Sequence, residues 1–152
     1  MPLKFNIKDT IREDLTRHFK KKYEPELTKA LVKLGDVIID DALNQPPTPP
    51  LLTAELRDSF FVFVKGQLVK FGRSYKGPTT TKRHGLVVGF GAEHAVYQEF
   101  MLTPEGPWIP SPLSVSVGAG GGFLGTKIKK NARRYKSIVV NELKKSPAFT
   151  RF

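Results

Sequence analysis

Residues 46–50 read Pro-Pro-Thr-Pro-Pro, four prolines in five positions. Proline locks φ, donates no backbone hydrogen bond and pushes the residue before it out of helical geometry. A helix arriving at this point must stop, and the chain must continue in a rigid, extended path. The next residues, Leu51-Leu52-Thr53-Ala54-Glu55-Leu56-Arg57-Asp58-Ser59, lead into the apolar run Phe60-Phe61-Val62-Phe63-Val64. The order is helix, proline joint, short turn, strand. Pro49, Pro50, Arg57 and Ser59 are the expected elbow, which sets the direction in which the helix leaves the sheet. Arg57 and Ser59 are assigned to tying that elbow to the sheet rather than to reactive chemistry. The elbow is expected to matter for assembly more than for folding of the monomer.

Upstream of the joint the pattern is helical. Ile7, Ile11, Leu15 and Phe19 recur every fourth residue, and Tyr23, Leu27, Leu31, Leu34, Val37, Ile38 and Ala42 continue the stripe. Pro25 predicts a kink or short break, with helices over about 8–22 and 25–44. A straight helix over both would be ~57 Å long, against a radius of gyration of about 15 Å for a domain of this size. One end would project and need a partner over its apolar stripe.

Downstream the period changes to two. Phe60–Val64 and Leu68–Phe71 flank Lys65-Gly66-Gln67 and read as a hairpin, and Leu86–Phe90 as a third strand. Residues 72–85 have no apolar period and predict a mobile loop. Residues 92–100 suit a short helix, 103–112 an irregular proline-rich loop around Trp108, and Leu113-Ser-Val-Ser-Val117 a fourth strand. Glycines at 118 and 120–122 then lead into a helix with apolar positions Leu124, Ile128, Ala132, Tyr135, Val139 and Leu143. The expected fold is α+β, one domain over 1–152. It has a helical region at 8–45, the joint at 46–57, a small mostly antiparallel sheet with long loops at 58–118, and a terminal helix at 124–145. Phe60–Val64 has no polar side, so both faces should be covered, one by helices and the other by a second subunit.

The chain of 152 residues has 25 Lys and Arg against 14 Asp and Glu, a net charge of +11, and no cysteine. The charge favours a polyanionic neighbour. Lack of cysteine excludes disulfides and cysteine-ligated metals. No apolar run reaches the ~18 residues of a membrane span, and residues 1–8 lack a signal-peptide core. These features predict a soluble protein of the cytoplasm or of an assembled particle, with no membrane partner.

No chemical motif is complete. Gly120-Gly-Gly-Phe-Leu-Gly-Thr-Lys127 follows a predicted strand and opens a helix, as a phosphate loop does. The required order, however, is Gly-Lys-Ser/Thr. Here the lysine is displaced by one residue, about 100° around a helix. The glycines are read as a tight turn. His18, His84 and His94 have no ligand spacing, and there is no Gly-x-Ser-x-Gly elbow. No catalytic residue, metal site or cofactor is assigned, and the chain is read as a non-enzyme. What remains is basic. Lys127, Lys130, Arg133 and Arg134 crowd the last helix, with Lys127, Lys130 and Arg134 on one face opposite the apolar stripe. They are the candidates for facing DNA or an acidic partner.

Residues 46–59 resemble the proline-rich stretch, followed by Thr-Gly-x-Leu-Arg-x-Ser, of neck and tail-completion proteins of tailed bacteriophages. Val88-Gly-Phe-Gly-Ala-Glu-His-Ala-Val-Tyr-Gln-Glu-Phe100 is similar to their Val-Gly … Tyr-Ala-x-x-x-Glu segment. Gly122-Phe-Leu-Gly-Thr-Lys-Ile128 and the helix after it resemble their Phe-Leu-x-x-Ala terminal helix. The three pieces occur in order over roughly residues 20–146. Ala54 stands where the family has glycine, His94-Ala95 replaces Tyr-Ala, and the Trp108 loop is longer. The resemblance implies a structural virion protein without catalysis: a tail-completion or terminator subunit at the head–tail junction, assembled in the host cytoplasm. Its partners would be copies of itself in a ring, with a hexamer favoured to match a typical tail, and the connector or head-stopper and tail-tube proteins. Contact with DNA would be non-specific. Phe61, Phe63, Tyr97, Phe100 and Trp108 are the candidate interface residues. The alternative is a small basic cytoplasmic nucleic-acid-binding protein of ribosomal type.

Overall fold

Helix α1 runs from Ile7 to Asn44, 38 residues and ~57 Å. The structure, a computed structural model, describes residues 7–50, 54–103, 106, 107, 112, 116 and 118–148. The break expected at Pro25 does not occur, because Pro25 lies inside the helix. Its ring costs the hydrogen bond to the carbonyl of Lys21, but Pro25 and Lys21 are both exposed, so water can take that bond. The next carbonyls are clamped from outside. Glu24 O accepts from Thr28 Oγ1 at 2.9 Å and from Lys65 Nζ at 3.2 Å. Lys65 also pairs with the Glu24 carboxylate at 2.9 Å and holds its pKa below the usual range.

Two sides of α1 are buried. On one, Val32, Ile39 and Leu43 pack against Phe60, Val62, Val64, Leu86 and Val88 of the sheet. Gly35 lies on the same side. On the adjoining side Ala30, Ile38 and Asp41 are buried at helical spacing, and Asp41 meets the terminal helix.

The sheet is antiparallel in the order β2-β1-β3, with β1 at Phe60–Val64, β2 at Gln67–Phe71 and β3 at Leu86–Phe90. Phe61 pairs with Phe71 and with Gly89, and Phe63 with Leu68 and Val87. The register slips between Val62 and Phe63, which leaves Val69 as the extra residue of a bulge. Alternation puts Phe60, Val62 and Val64 toward α1 and Phe61 and Phe63 away from it.

The second face is covered in part by the chain itself. Residues 72–85, read as a mobile loop, fold back across it. Thr81 N–H bonds Gly66 O at 2.9 Å, Leu68 N–H bonds Thr79 O at 3.0 Å, and Lys65 N–H bonds Gly85 O at 2.8 Å. Tyr75 packs on Phe61, ring centroids 5.3 Å apart, and donates to Pro78 O at 2.8 Å. The apolar signal was too sparse to reveal a loop held by backbone bonds and one tyrosine.

Helix α2 spans Ala95–Phe100, close to expectation. The region read as an irregular loop instead begins with two short antiparallel strands, β4 at Leu102–Thr103 and β5 at Gly106–Pro107. Ser116, expected in a strand over 113–117, is helical, as is Pro112. Proline is accepted in a first helical turn, and four or five alternating residues are too few to decide the period. Residues 113–115 and 117 lie outside the described set. The terminal helix is divided in two, α3 at Gly125–Lys130 and α4 at Ala132–Lys144. Asn131, at φ −102° and ψ 13°, turns the chain between them.

Gly35 sets how closely α1 meets the sheet. A Cβ there would stand 2.5 Å from Val62 Cγ1 and 3.2 Å from Leu86 Cδ1. Gly35→Ala gains up to about 1 kcal/mol of helix propensity but overpacks the core at a cost of about 1–3 kcal/mol. We expect net destabilisation in urea unfolding, larger for Gly35→Val. Equal or higher stability of the alanine variant would show that α1 and the sheet do not need this close approach.

Candidate functional site

The proline joint, the segment 88–100 and the turn into α3 are far apart in sequence but meet in one cluster. Leu56, Ala95 and Phe123 form its buried centre, with Phe90, Ala92 and Leu124 packed around them. Phe90 and Phe123 meet edge to face at 5.2 Å.

Polar ties hold the same place. Ser59 Oγ donates to Leu56 O at 2.8 Å and accepts from Ala92 N–H at 3.1 Å, while Ser59 O accepts from Gly91 N–H at 2.9 Å. Arg57 Nη2 donates to Leu43 O at 2.6 Å, filling one of the carbonyls left open at the end of α1. Ser59 ties the joint to the segment that follows β3, whereas Arg57, expected to tie it to the sheet, ties it to the end of α1. The prolines are more deeply placed than an assembly elbow requires. Pro49 is fully buried, and Thr48 bridges Ala119 with bonds of 3.0 Å to Gly118 O and from Gly120 N–H. Thr48, Pro49 and Pro50 are therefore buried within the single chain.

The turn into α3 has the geometry of an anion cradle, already filled from within. Glu99 Oε1 accepts from Gly125 N–H at 2.6 Å, and Oε2 accepts from Leu124 N–H at 3.2 Å. A carboxylate on the open N–H groups of a helix start is favourable. It occupies the place a phosphate would take in a phosphate loop. Lys127 turns inward as well. Its side chain donates to Pro47 O and Phe123 O, and the residue is only 4% exposed. Burial pushes its pKa below the usual lysine value, partly opposed by the charges of Asp41 and Glu99.

Beside it Asp41, 2% exposed, carries the link from α1 to α4. Asp41 Oδ2 accepts from Arg134 Nη1 at 2.6 Å and from Tyr135 Oη at 2.8 Å, and Oδ1 accepts from Gln45 Nε2 at 3.3 Å. Burial first, then the Asp41 carboxylate, pushes the Tyr135 hydroxyl up to about 12.

The basic stripe predicted on the last helix is thus divided. Lys127 is buried, and Arg134, though half-exposed, is paired with Asp41. Lys130 and Arg133 are exposed, together with Lys129 and Lys136. Of the predicted interface residues, Phe63 is 4% exposed and belongs to the core, Phe61 is half-buried among aromatics, and Phe100 is 68% exposed. The Tyr97 side chain and all of Trp108 lie outside the described residues. Asp41, Glu99 and the Tyr135 hydroxyl were not foreseen as partners. The available signal was an acid at position 41, where the apolar stripe of α1 should continue.

Among the described residues, no three His, Cys, Asp or Glu groups are placed to hold a metal, and no helix is long and apolar enough to cross a membrane. Comparison with known proteins finds no match: no family model fits the chain, and no curated protein or solved structure is detectably similar.

Two tests probe the cluster. Glu99→Gln removes the charge but not the shape, and should destabilise by about 1–2 kcal/mol in chemical denaturation. An unchanged midpoint would mean that solvent replaces the carboxylate without loss. Tyr135 has a folded pKa raised from 10.0 to about 12, so from pH 10 to 12 the unfolded chain releases a proton that the native state keeps. Its contribution is complete below pH 10 and falls by about 1.4 kcal/mol per pH unit across that window. Tyr135→Phe should lower stability at neutral pH by about 1–3 kcal/mol and flatten this alkaline loss. Parallel alkaline curves for the two proteins would contradict the buried Asp41–Tyr135 bond.

Proposed function

We propose that the chain is a structural subunit of the head–tail neck of a tailed bacteriophage, a tail-completion or terminator protein that forms a ring joining the tail to the head connector. The observation that carries this reading is the meeting of Leu56, Ala95 and Phe123. Each comes from one of the three segments that resemble such proteins. Segments that are separate in sequence but packed as one unit have a common structural reason to occur together.

A structural role also suits the chemistry. Ser59, Glu99, Lys127, Asp41 and Tyr135 each spend their polar atoms inside the chain. They act as ties between elements, and their partners are backbone groups, one another and the Arg134 and Gln45 side chains.

Ring contacts need apolar surface outside the core. Phe100 at 68% exposure is the largest candidate foreseen from sequence, and Ile128 and Val140 are also exposed, on α3 and α4. A ring with closed cyclic symmetry would use such patches side to side. The exposed Lys129, Lys130, Arg133 and Lys136 add a basic surface suited to passing DNA without sequence preference.

Electron microscopy of the purified protein, alone and with the connector and tail-tube proteins of the same virion, tests the proposal. Rings are expected, sixfold by analogy with tails. Phe100→Asp should abolish them while leaving the thermal midpoint within about 2 °C, as for an exposed site. A protein that stays monomeric with every partner, by microscopy and light scattering, would refute the ring.

A further inference from the structure

We propose that the sheet face turned away from α1 is a binding platform for single-stranded nucleic acid, with aromatic rings stacking bases and the cations of residues 72–85 holding phosphates. It is separate from the last-helix surface and does not rest on the neck reading.

The aromatic part is built by register. Phe71 pairs with Phe61 across the β1–β2 ladder and therefore shares its face. Tyr75 lies 5.3 Å from Phe61 and 6.2 Å from Phe71, ring centre to ring centre. On the other side Phe61 lies across Gly89, where a Cβ would come within 2.6 Å of its ring. The glycine leaves room for the far end of the ring. Phe71 is 59% exposed at the edge of the group. An exposed phenylalanine held next to a tyrosine offers a free π-face, which any base can stack on.

Beside these rings opens a cleft of about 430 Å³. Its walls are Phe61, Phe63, Tyr75, Pro78 and Val87, and Arg83 stands among its lining residues. That size is at the lower end for small-molecule sites, ~300–1,000 Å³.

The charge is one-sided. Residues 72–85 contain Arg73, Lys76, Lys82 and Arg83 and no Asp or Glu. All four are exposed, and among the described residues no ion pair engages them. Three acids lie near: Asp58, whose carbonyl accepts from Ser74 N–H at 2.9 Å, and Glu55 and Glu93, which line an adjoining cleft with Lys76 and His94. The backbone of the loop is pinned by its bonds to Gly66 and Leu68, which sets Arg83 beside the rings of Phe61 and Tyr75 and Lys82 next to it in the chain. Cations beside a stacking surface match the alternation of phosphate and base in a single strand. A duplex hides its base faces and could use the charges alone.

The full-length protein is titrated into a labelled oligothymidylate of about ten nucleotides and into a duplex of equal length, with salt varied over about 50–200 mM. Single strands should bind tighter than duplex. Phe71→Ala should weaken single-strand binding at least fivefold, about the loss of one stacked base, with the salt slope unchanged, and Phe71→Trp should restore it. Lys82→Ala with Arg83→Ala should weaken binding and reduce the slope by about 0.7 for each phosphate no longer neutralised. Lys130→Ala with Arg133→Ala should leave single-strand binding unchanged. Phe71 is exposed, so thermal midpoints identify any variant that fails to fold, and the Lys82/Arg83 pair provides an independent readout. Three results would overturn the proposal: no binding, equal binding of duplex and single strand with no effect of Phe71→Ala, or displacement by an acidic phenylalanine-containing peptide that binds more tightly than the oligonucleotide.

Discussion

Asp41 is a carboxylate almost removed from water on the side of α1 that faces the end of the chain. A charge in such a place is costly unless donors meet it. Here the donors come from Tyr135 and Arg134, 94 and 93 residues away. Their positions settle where α4 lies along α1. The turn at Asn131 then places α3 so that Lys127 reaches the proline joint and Leu124 and Gly125 reach Glu99. A single buried acid is thus the start of a series of ties running from α1 through α4 and α3 to the joint and α2.

The two sides of α1 explain the rest of the architecture. Its 38 residues carry more apolar surface than one layer can cover. The sheet takes one side through Val62 and Val64, with Gly35 allowing close approach, and α4 takes the other. The central strand is left with Phe61 and Phe63 on its outer face. The loop of residues 72–85 covers them in part, leaving an aromatic and basic surface instead of a sealed layer. Cover of Phe63 at 4% and exposure of Phe71 at 59% on the same face follow from where that loop ends.

Much of this was legible in advance. The joint at 46–50, the hairpin at 60–71, the strand at 86–90 and the short helix ending at Phe100 came from proline geometry and from short apolar, β-rich runs bounded by turn residues. Pro25 misled because a proline on an exposed helix face loses only a bond that water can replace. The strand expected at 113–117 fails at Ser116, the one described residue there, which is helical. The roles of Lys127 and Arg134 misled for a different reason. Helical spacing puts residues on a common face, but says nothing about which neighbours that face meets.

The sequence alone determined the class of the fold, the stop at the prolines and the excess of positive charge, because each depends on local geometry or on a sum over residues. Only the tertiary structure decided that Pro49 and Pro50 are buried while Pro46 is exposed. It also decided that Glu99 fills the anion cradle at α3, and that one basic residue of the last helix is buried while another is paired. Those outcomes depend on groups brought together across 25 to 94 positions of chain. Burial and pairing set the energy of a charged group far more than its own side chain does, and neither can be read until the chain has folded.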